Sequence, residues 1–299
     1  MHTRALLALC ALALLVSLGG CSAAGSLDMT AVNDTQLAEQ ASRDLPRVDD
    51  ESGEDPGADY RAVVQGAVRN GSATQNGTSP MVDTEGLPFA VDGAYYDLSV
   101  EPVGNHSELL VDVKIDYNGT TDGPAVAYED LSPADKALLD TLLQAEHEDQ
   151  GEGYDFGAGA RYTDAEANAS VLLAGDYAAV RYRGERYPIA VDSRPVTVTT
   201  YRYTAEQVAP NAEAYAQSLR ETYQFTLSGL STEERKVVDE AIRGTYYAES
   251  TDDSAFRSVL QRFRSHDAVR SDEYSGSWVV RYDGDLYWAE LHYGGFTQT

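Results

Sequence analysis

The chain has 299 residues, of which 42% are hydrophobic, enough to bury the cores of two or three small domains. It carries 49 acidic and 22 basic residues, which gives a formal net charge of −27. Because a phosphate backbone is bound by a basic surface, this charge argues against a nucleic-acid partner.

Lysine is unusually rare, at three positions against nineteen arginines. Such an excess of carboxylates repels itself and weakens a compact fold at low ionic strength. In molar salt the Debye length falls to about 3 Å and this repulsion is screened. Abundant Asp and Glu with little Lys is similar to the composition of proteins from halophilic archaea, so we expect a halophilic protein. An acidic surface protein of a mesophile is the alternative, but it explains the shortage of lysine less well.

The first twenty residues predict export. Arg4 precedes an apolar run, Ala5–Leu18, that would be about 21 Å long as a helix, too short for the ~30 Å hydrocarbon core of a bilayer. Such a run is typical of a signal peptide, here residues 1–20. The sequence LGGC that ends at Cys21 resembles the lipobox of secreted lipoproteins. We therefore expect cleavage before Cys21 and lipid attachment to its thiol; cleavage after Ala24, giving a soluble secreted protein, is the alternative.

Residues 21–57 are expected to form an acidic flexible linker. The segment is polar, ends in the run DDESGEDPGAD, and has few large apolar side chains to offset the entropy of ordering. A short helix around Thr35–Ser42 is the one regular element that its pattern suggests.

Two stretches that begin ninety-nine residues apart have nearly the same sequence, LSPADKALLDTLL from Leu131 and LSTEERKVVDEAI from Leu230. In each, a serine stands as N-cap before an apolar stripe of helical spacing. Each predicted helix is followed by a hairpin pattern with a central glycine, VRYRGERYPI from Val180 and VRYDGDLYWA from Val280. A weaker third copy consists of RAVVQGAVRNG from Arg61 and FAVDGAYYDLSV from Phe89.

These copies predict an α+β fold of repeated modules, each a helix packed on a small antiparallel sheet. Gly93, Gly184 and Gly284 are predicted to occupy equivalent hairpin turns. The predicted segments are a lipoprotein-type signal peptide at 1–20, the linker at 21–57, a degenerate helix–hairpin module at 58–101, an α+β module at 102–195, and an α+β module with extra helices at 196–296.

Six of the seven asparagines stand in the N-x-S/T triplets that accept N-glycans. The candidate glycosylation sites are Asn33, Asn70, Asn76, Asn105, Asn118 and Asn168. Asn-Gly also favours turns, which is an alternative explanation at three of these positions. Glycosylation and turn formation are compatible at these positions, because glycan acceptor sites lie on exposed turns.

No motif predicts catalysis, cofactor binding or a metal site. The five histidines lack the H-E-x-x-H spacing of two ligands on one helix face, and no G-x-S-x-G, P-loop or G-x-G-x-x-G pattern occurs. We therefore expect no catalytic, cofactor-binding or metal-binding residue. Aromatic side chains on predicted strands could bind a glycan or peptide, although they more often pair across a sheet. These are Tyr95, Tyr96, Tyr182, Tyr187, Tyr201, Tyr203, Tyr282, Tyr287, Trp288 and Tyr293.

The lipobox, the "LS…E" helix starts and the R-Y-x-G-x-x-Y hairpins resemble uncharacterised predicted lipoproteins of halophilic archaea with repeated helix-plus-β-hairpin domains. We expect an exported, glycosylated cell-surface protein, anchored by lipid to the outer face of the cell membrane, with a non-enzymatic binding or structural role. Its partner would be a surface protein or a glycan. The alternatives are an exported enzyme such as a hydrolase, and a relative of the small exported domains proposed to inhibit peptidases.

Overall fold

The computed structural model describes residues 23–46, 57–143, 153–154 and 156–296. The predicted signal peptide and Cys21 lie outside the described residues. Contacts divide the chain into two compact units. Unit 1 comprises Met1–Gly71, Thr84–Ser99 and Thr204–Thr299, and unit 2 comprises Ser72–Asp83 and Val100–Tyr203. Each unit contains helices and strands, so the predicted α+β class is confirmed.

The described residues form eight helices and thirteen strands. The helices are α1 Asp34–Gln40, α2 Ala58–Asn70, α3 Pro133–Leu143, α4 Asp164–Ala169, α5 Val171–Ala174, α6 Ala212–Tyr223, α7 Thr232–Arg243 and α8 Ser254–Arg264. The strands are β1 Gly25–Ala31, β2 Ser72–Gly77, β3 Phe89–Val91, β4 Ala94–Ile115, β5 Ala125–Ala127, β6 Phe156–Tyr162, β7 Ala179–Tyr182, β8 Glu185–Ala209, β9 Phe225–Thr226, β10 Tyr246–Ala248, β11 Arg270–Ser271, β12 Ser275–Tyr282 and β13 Asp285–His292. The long strands β4 and β8 contribute residues to both units.

The sheet of unit 1 has β10, β1, β13 and β12 as successive antiparallel neighbours. On the far side of β12, β9 pairs with it in parallel and β11 pairs with it antiparallel. One face of this sheet packs against α7 and α8, whose apolar stripes enter the same core as Leu27, Trp278 and Leu291. Phe256 and Phe263 on α8 are fully buried there, each worth about 1.5–3 kcal/mol relative to exposure.

In unit 2 the strand order is β6, β4, β8, β7 and β5, with β2 as a further partner of β8. The short strand β5 pairs with β7 in parallel, whereas β7 and β8 form an antiparallel hairpin. Leu138, Leu139 and Leu142 on α3 pack into a core with Val113 and Val180. A helix on a sheet is therefore present in this unit, as the apolar stripe of α3 predicts.

The expectation of a flexible linker at 21–57 is wrong for residues 25–40. β1 lies between β10 and β13, and the predicted short helix is present as α1. The cause is an alternation of apolar and polar side chains in SLDMT, which buries Leu27 and Met29 and turns Asp28 to the other face. The two buried side chains and the hydrogen bonds to β10 and β13 order a segment whose average composition is polar.

The three predicted turn glycines each lie in a two-residue hairpin loop, and each has a positive φ. The angles are 83° at Gly93, 90° at Gly184 and 97° at Gly284, each following a residue with φ near 50°, namely Asp92, Arg183 and Asp283. Two consecutive positive φ values match the twist of the flanking strands, which explains the glycine at each second position. In the third predicted copy, α2 and the β3–β4 hairpin both belong to unit 1.

Candidate functional site

In the part of the chain that the structure describes, the second face of the unit 1 sheet is covered along only part of its length. At one end, Val279 and Trp288 are buried against α1 and α6, in a cluster that includes Leu37 and Tyr215. At the other end polar side chains replace the apolar ones. These residues form the polar face, which we define as Ser26, Asp28, Arg270, Ser275, Ser277, Glu290 and His292.

The polar face is assembled by strand register. Ser26, His292 and Ser275 form one cross-strand row on β1, β13 and β12. The neighbouring row is Asp28, Glu290, Ser277 and Arg270, on β1, β13, β12 and β11. Side chains opposite each other on adjacent strands project from the same face, so these rows bring carboxylates, hydroxyls, an imidazole and a guanidinium together.

The two carboxylates in the second row are cross-strand neighbours, an arrangement that is unfavourable unless each charge has a partner. Glu290 Oε1 accepts hydrogen bonds from Arg270 Nη2 at 3.1 Å and from Trp288 Nε1 at 3.2 Å. Asp28 accepts hydrogen bonds from the hydroxyls of Thr30 and Thr245, both at 3.1 Å. These bonds fix both carboxylates in place while Arg270 and Glu290 stay about half exposed.

A groove of about 360 Å³ lies over the polar face and is lined by Arg270, Asp272, Ser275, Glu290 and His292, among others. The Asp272 carboxylate accepts from the backbone N–H groups of Tyr274 and Ser275, each at 2.7 Å, and from the Ser275 hydroxyl. These bonds hold the pKa of Asp272 below its usual value, so this wall of the groove stays negatively charged.

The hydroxyls in the groove are held by groups other than histidine. Ser275 Oγ donates to Asp272 Oδ2 at 2.9 Å, and Ser277 Oγ accepts from Arg270 Nε at 3.1 Å. Ser277 is only 3% exposed, so its hydroxyl serves the internal bonding of the polar face. Ser275 is half-buried in the wall of the groove, beside the Asp272 carboxylate.

The ten aromatic residues that could have formed an exposed row on the strands are buried or half-buried. Tyr282, Tyr287 and Trp288 lie within the cores, and Tyr117 and Tyr187 meet edge to face. The hypothesis of an exposed aromatic row that binds a ligand is therefore wrong, and these side chains pack within the fold instead. Among the described residues, the aromatic side chains with the highest exposed fractions are three other tyrosines, Tyr154, Tyr247 and Tyr274.

The six asparagines of the candidate glycosylation triplets are all exposed. Asn33 also caps α1, with its Oδ1 accepting from the N–H of Gln36 at 3.0 Å. Asn76 Oδ1 accepts from the Thr200 hydroxyl at 2.7 Å. Cys21 lies outside the described residues.

Two carboxylates are buried among the described residues, and both are the third residue of a predicted helix. Glu234 of α7 forms an ion pair with Arg262 of α8, with 2.7 Å between Oε1 and Nε, and accepts from the Ser258 hydroxyl and the Ser231 N–H. These contacts, the Arg262 hydrogen bond above all, lower the pKa of Glu234 to about 2. The position of Glu234 three residues after Ser231 is typical of a capping box, but nothing in its local sequence indicates burial against α8.

Asp135 of α3 is the second buried carboxylate. It accepts from the hydroxyls of Ser170 and Tyr162 and from the backbone N–H of Val171, at the start of α5. Burial, together with the Asp135 carboxylate, raises the pKa of Tyr162. Each carboxylate thus ties its own helix to the next helical segment of the same unit, α7 to α8 and α3 to α5, which is a structural task.

Within the described residues, no group of three or more His, Cys, Asp or Glu side chains is placed to hold a metal ion. No helix in that part of the chain has the length and apolar character needed to span a bilayer.

The comparisons with known proteins give one match. Residues 107–190 match the model of a family of unknown function, DUF7979. The matched segment is less than a third of the chain and runs from the second half of β4 to the start of β8, through α3, α4 and α5. Neither the curated proteins nor the solved structures include a significant match.

Proposed function

We propose that this is an exported, lipid-anchored and glycosylated cell-surface protein of a halophile, with a non-enzymatic role in binding a hydroxyl-rich surface partner such as a glycan. The observation that carries the binding role is the groove over the polar face. It is the open part of a sheet whose other face, and whose other end, are covered by helices.

The chemistry of the groove fits a polar, uncharged ligand. Its volume of about 360 Å³ is in the range of small-molecule sites and would hold one or two sugar rings. Carboxylates, hydroxyls and a guanidinium offer both acceptors and donors to ligand hydroxyls. Asp272 and Glu290 against Arg270 give the groove an excess of negative charge, and Asp28 lies next to Glu290 on the neighbouring strand. This charge disfavours phosphate and other polyanions.

The start of the fold supports lipid attachment at Cys21 over cleavage after Ala24. Ala24 donates its backbone N–H to the carbonyl of Ala248 at 2.8 Å and accepts from the N–H of Gly295 at 2.9 Å. Cleavage after Ala24 would remove these two backbone hydrogen bonds from the beginning of β1. Cleavage before Cys21 leaves them intact, and places the lipid three residues before the fold.

We also propose that the two units are copies of one module. Unit 1 has the strand order β10, β1, β13, β12, β9, and unit 2 has β6, β4, β8, β7, β5. In each, the last strand is short, pairs in parallel, and leads into a serine-capped helix with a buried carboxylate at its third position. In each, a two-residue turn then joins the final hairpin. The matched segment 107–190 spans one such copy without interruption, which supports the same division.

The binding role can be tested by cross-linking in native salt. A benzophenone attached to a single cysteine at His292→Cys, on the exposed edge of the groove, should form adducts that contain hexose when the protein is returned to isolated cell envelopes. Glu249→Cys, which lies at the same end of the sheet but outside the groove, is the matched control and should form few. Equal adducts at both positions, or none at either, would contradict the proposal. Loss of a hydrolytic activity in Ser275→Ala would favour the alternative of an exported enzyme.

A further inference from the structure

The point where the chain enters the fold lies at one end of the unit 1 sheet. The backbone bonds of Ala24 tie it to Ala248, at the end of β10, and to Gly295, in the 3-10 turn Gly294–Phe296. The opposite end of the sheet carries the β12–β13 turn. Asp285 is seven residues from His292 along β13, so the two ends are about 23 Å apart at 3.3 Å per residue.

Two tyrosines beside the entry point are unusually exposed. Tyr247, which precedes Ala248, has 61% of its surface exposed, and Tyr274 has 57%. Tyr274 is held near Gly295, because its carbonyl accepts the N–H of Tyr293 at 2.8 Å. Other tyrosines on the strands of unit 1, such as Tyr282 and Tyr287, are buried. Exposed tyrosines on either side of Ala24 therefore set this end of unit 1 apart.

We propose that this end of unit 1, with Tyr247 and Tyr274, rests against the lipid surface. The inference rests on the lipid attachment at Cys21 proposed above. Ala24 is the third residue after Cys21 in the sequence, so their Cα atoms lie no more than about 11 Å apart even when the chain is fully extended. A tether of this length keeps the Ala24 end close to the headgroups.

The side chains at the two ends of the sheet fit this orientation. A tyrosine ring has an apolar body and a polar hydroxyl, which suits the boundary between headgroups and acyl chains. Both ends carry exposed carboxylates, Asp283 and Asp285 at the far end and Asp272 among others beside the tyrosines, so the exposed tyrosine rings and not charge distinguish the Ala24 end. Glu249 and Glu273 beside the two tyrosines would be repelled by anionic lipid, but molar salt screens this repulsion over about 3 Å.

The test uses the cysteine content of the chain. Cys21 would be the one cysteine left after removal of the signal peptide, and lipid blocks its thiol, so an introduced cysteine can be labelled alone. A fluorophore is attached at Glu249→Cys, which keeps both tyrosines, and at Asp285→Cys as the control at the far end. The lipidated proteins are reconstituted in phosphatidylcholine vesicles that contain a headgroup spin-labelled lipid, in molar salt. We expect at least threefold stronger quenching at position 249 than at 285.

The role of the tyrosines is tested in the Glu249→Cys background. The double change Tyr247→Ser with Tyr274→Ser should at least halve the quenching, whereas Tyr154→Ser, which removes an exposed tyrosine of unit 2, should leave it unchanged. Equal quenching at 249 and 285 would overturn the orientation, and unchanged quenching in the double variant would overturn the tyrosine contact. If the folded protein fails to float with the vesicles at all, the lipid anchor itself has failed and this inference falls with it.

Discussion

Neutralising Glu234 should destabilise unit 1 specifically. Its carboxylate is 4% exposed and takes four hydrogen bonds from α7 and α8 residues, including two from Arg262. Its pKa falls from 4.5 to about 2, which corresponds to about 3 kcal/mol of stabilisation at neutral pH. Arg262 is partly exposed and glutamine keeps part of the hydrogen bonding, so we expect Glu234→Gln to lower the free energy of unfolding by about 2 kcal/mol.

The assay is urea unfolding in molar salt followed by tryptophan fluorescence. Both tryptophans of the chain, Trp278 and Trp288, are buried in unit 1, so the signal reports that unit alone. Glu233→Gln is the matched control, because Glu233 is the preceding residue, is 67% exposed and pairs with Lys236 at the surface. If Glu234→Gln lowers the free energy of unfolding by no more than Glu233→Gln does, the reasoning is refuted.

The same pair of proteins gives a pH test with a defined sign. The folded-state pKa of Glu234 is lowered, so its stabilisation is fully present above pH 4.5 and is lost as the pH falls towards about 2. The difference in unfolding free energy between the wild type and Glu234→Gln should therefore shrink over that interval. A difference that stays constant from pH 6 to pH 2.5 would show that the ion pair is not its source.

Three further predictions use the same signals. Gly284→Val should lower the free energy of unfolding of unit 1 by roughly 1 kcal/mol or more, since a β-branched residue resists the φ of 97°. Gly184→Val, in unit 2, should leave the transition seen by tryptophan fluorescence unchanged. Asp135→Ala should likewise destabilise unit 2 by several kcal/mol, measured by near-UV circular dichroism, because Ser170, Tyr162 and Val171 lose a buried acceptor. Dilution into low salt should unfold the protein, and retained near-UV circular dichroism at low ionic strength would count against a halophile.

The helices and hairpins could be predicted because their signals are local. Ser231 and Glu234 lie three residues apart and close a capping box, and α8 shows its apolar stripe within eleven residues. The Asp-Gly and Arg-Gly pairs likewise identify their own turns. Each of these features is decided by neighbours in the sequence.

β1 and the polar face could not be predicted, because their partners are distant in the sequence. Leu27 pairs with Leu291 and Asp28 with Glu290, across more than 260 residues, and an acidic segment beside a lipobox gave little local sign of a strand. The groove collects residues from β11, β12 and β13 and from the β11–β12 loop, and β1 adds Ser26 and Asp28 to the polar face beside it. No spacing between these residues would show as a motif. Strand order alone brings them together.

The most direct test of the proposed exported, anchored protein is mass spectrometry of its mature N-terminus, purified from membranes in native salt. We predict a first residue of Cys21 that carries a lipid mass, and release of Cys21→Ala from the membrane fraction. An unmodified chain that begins at Gly25, or one that retains Met1, would contradict the account.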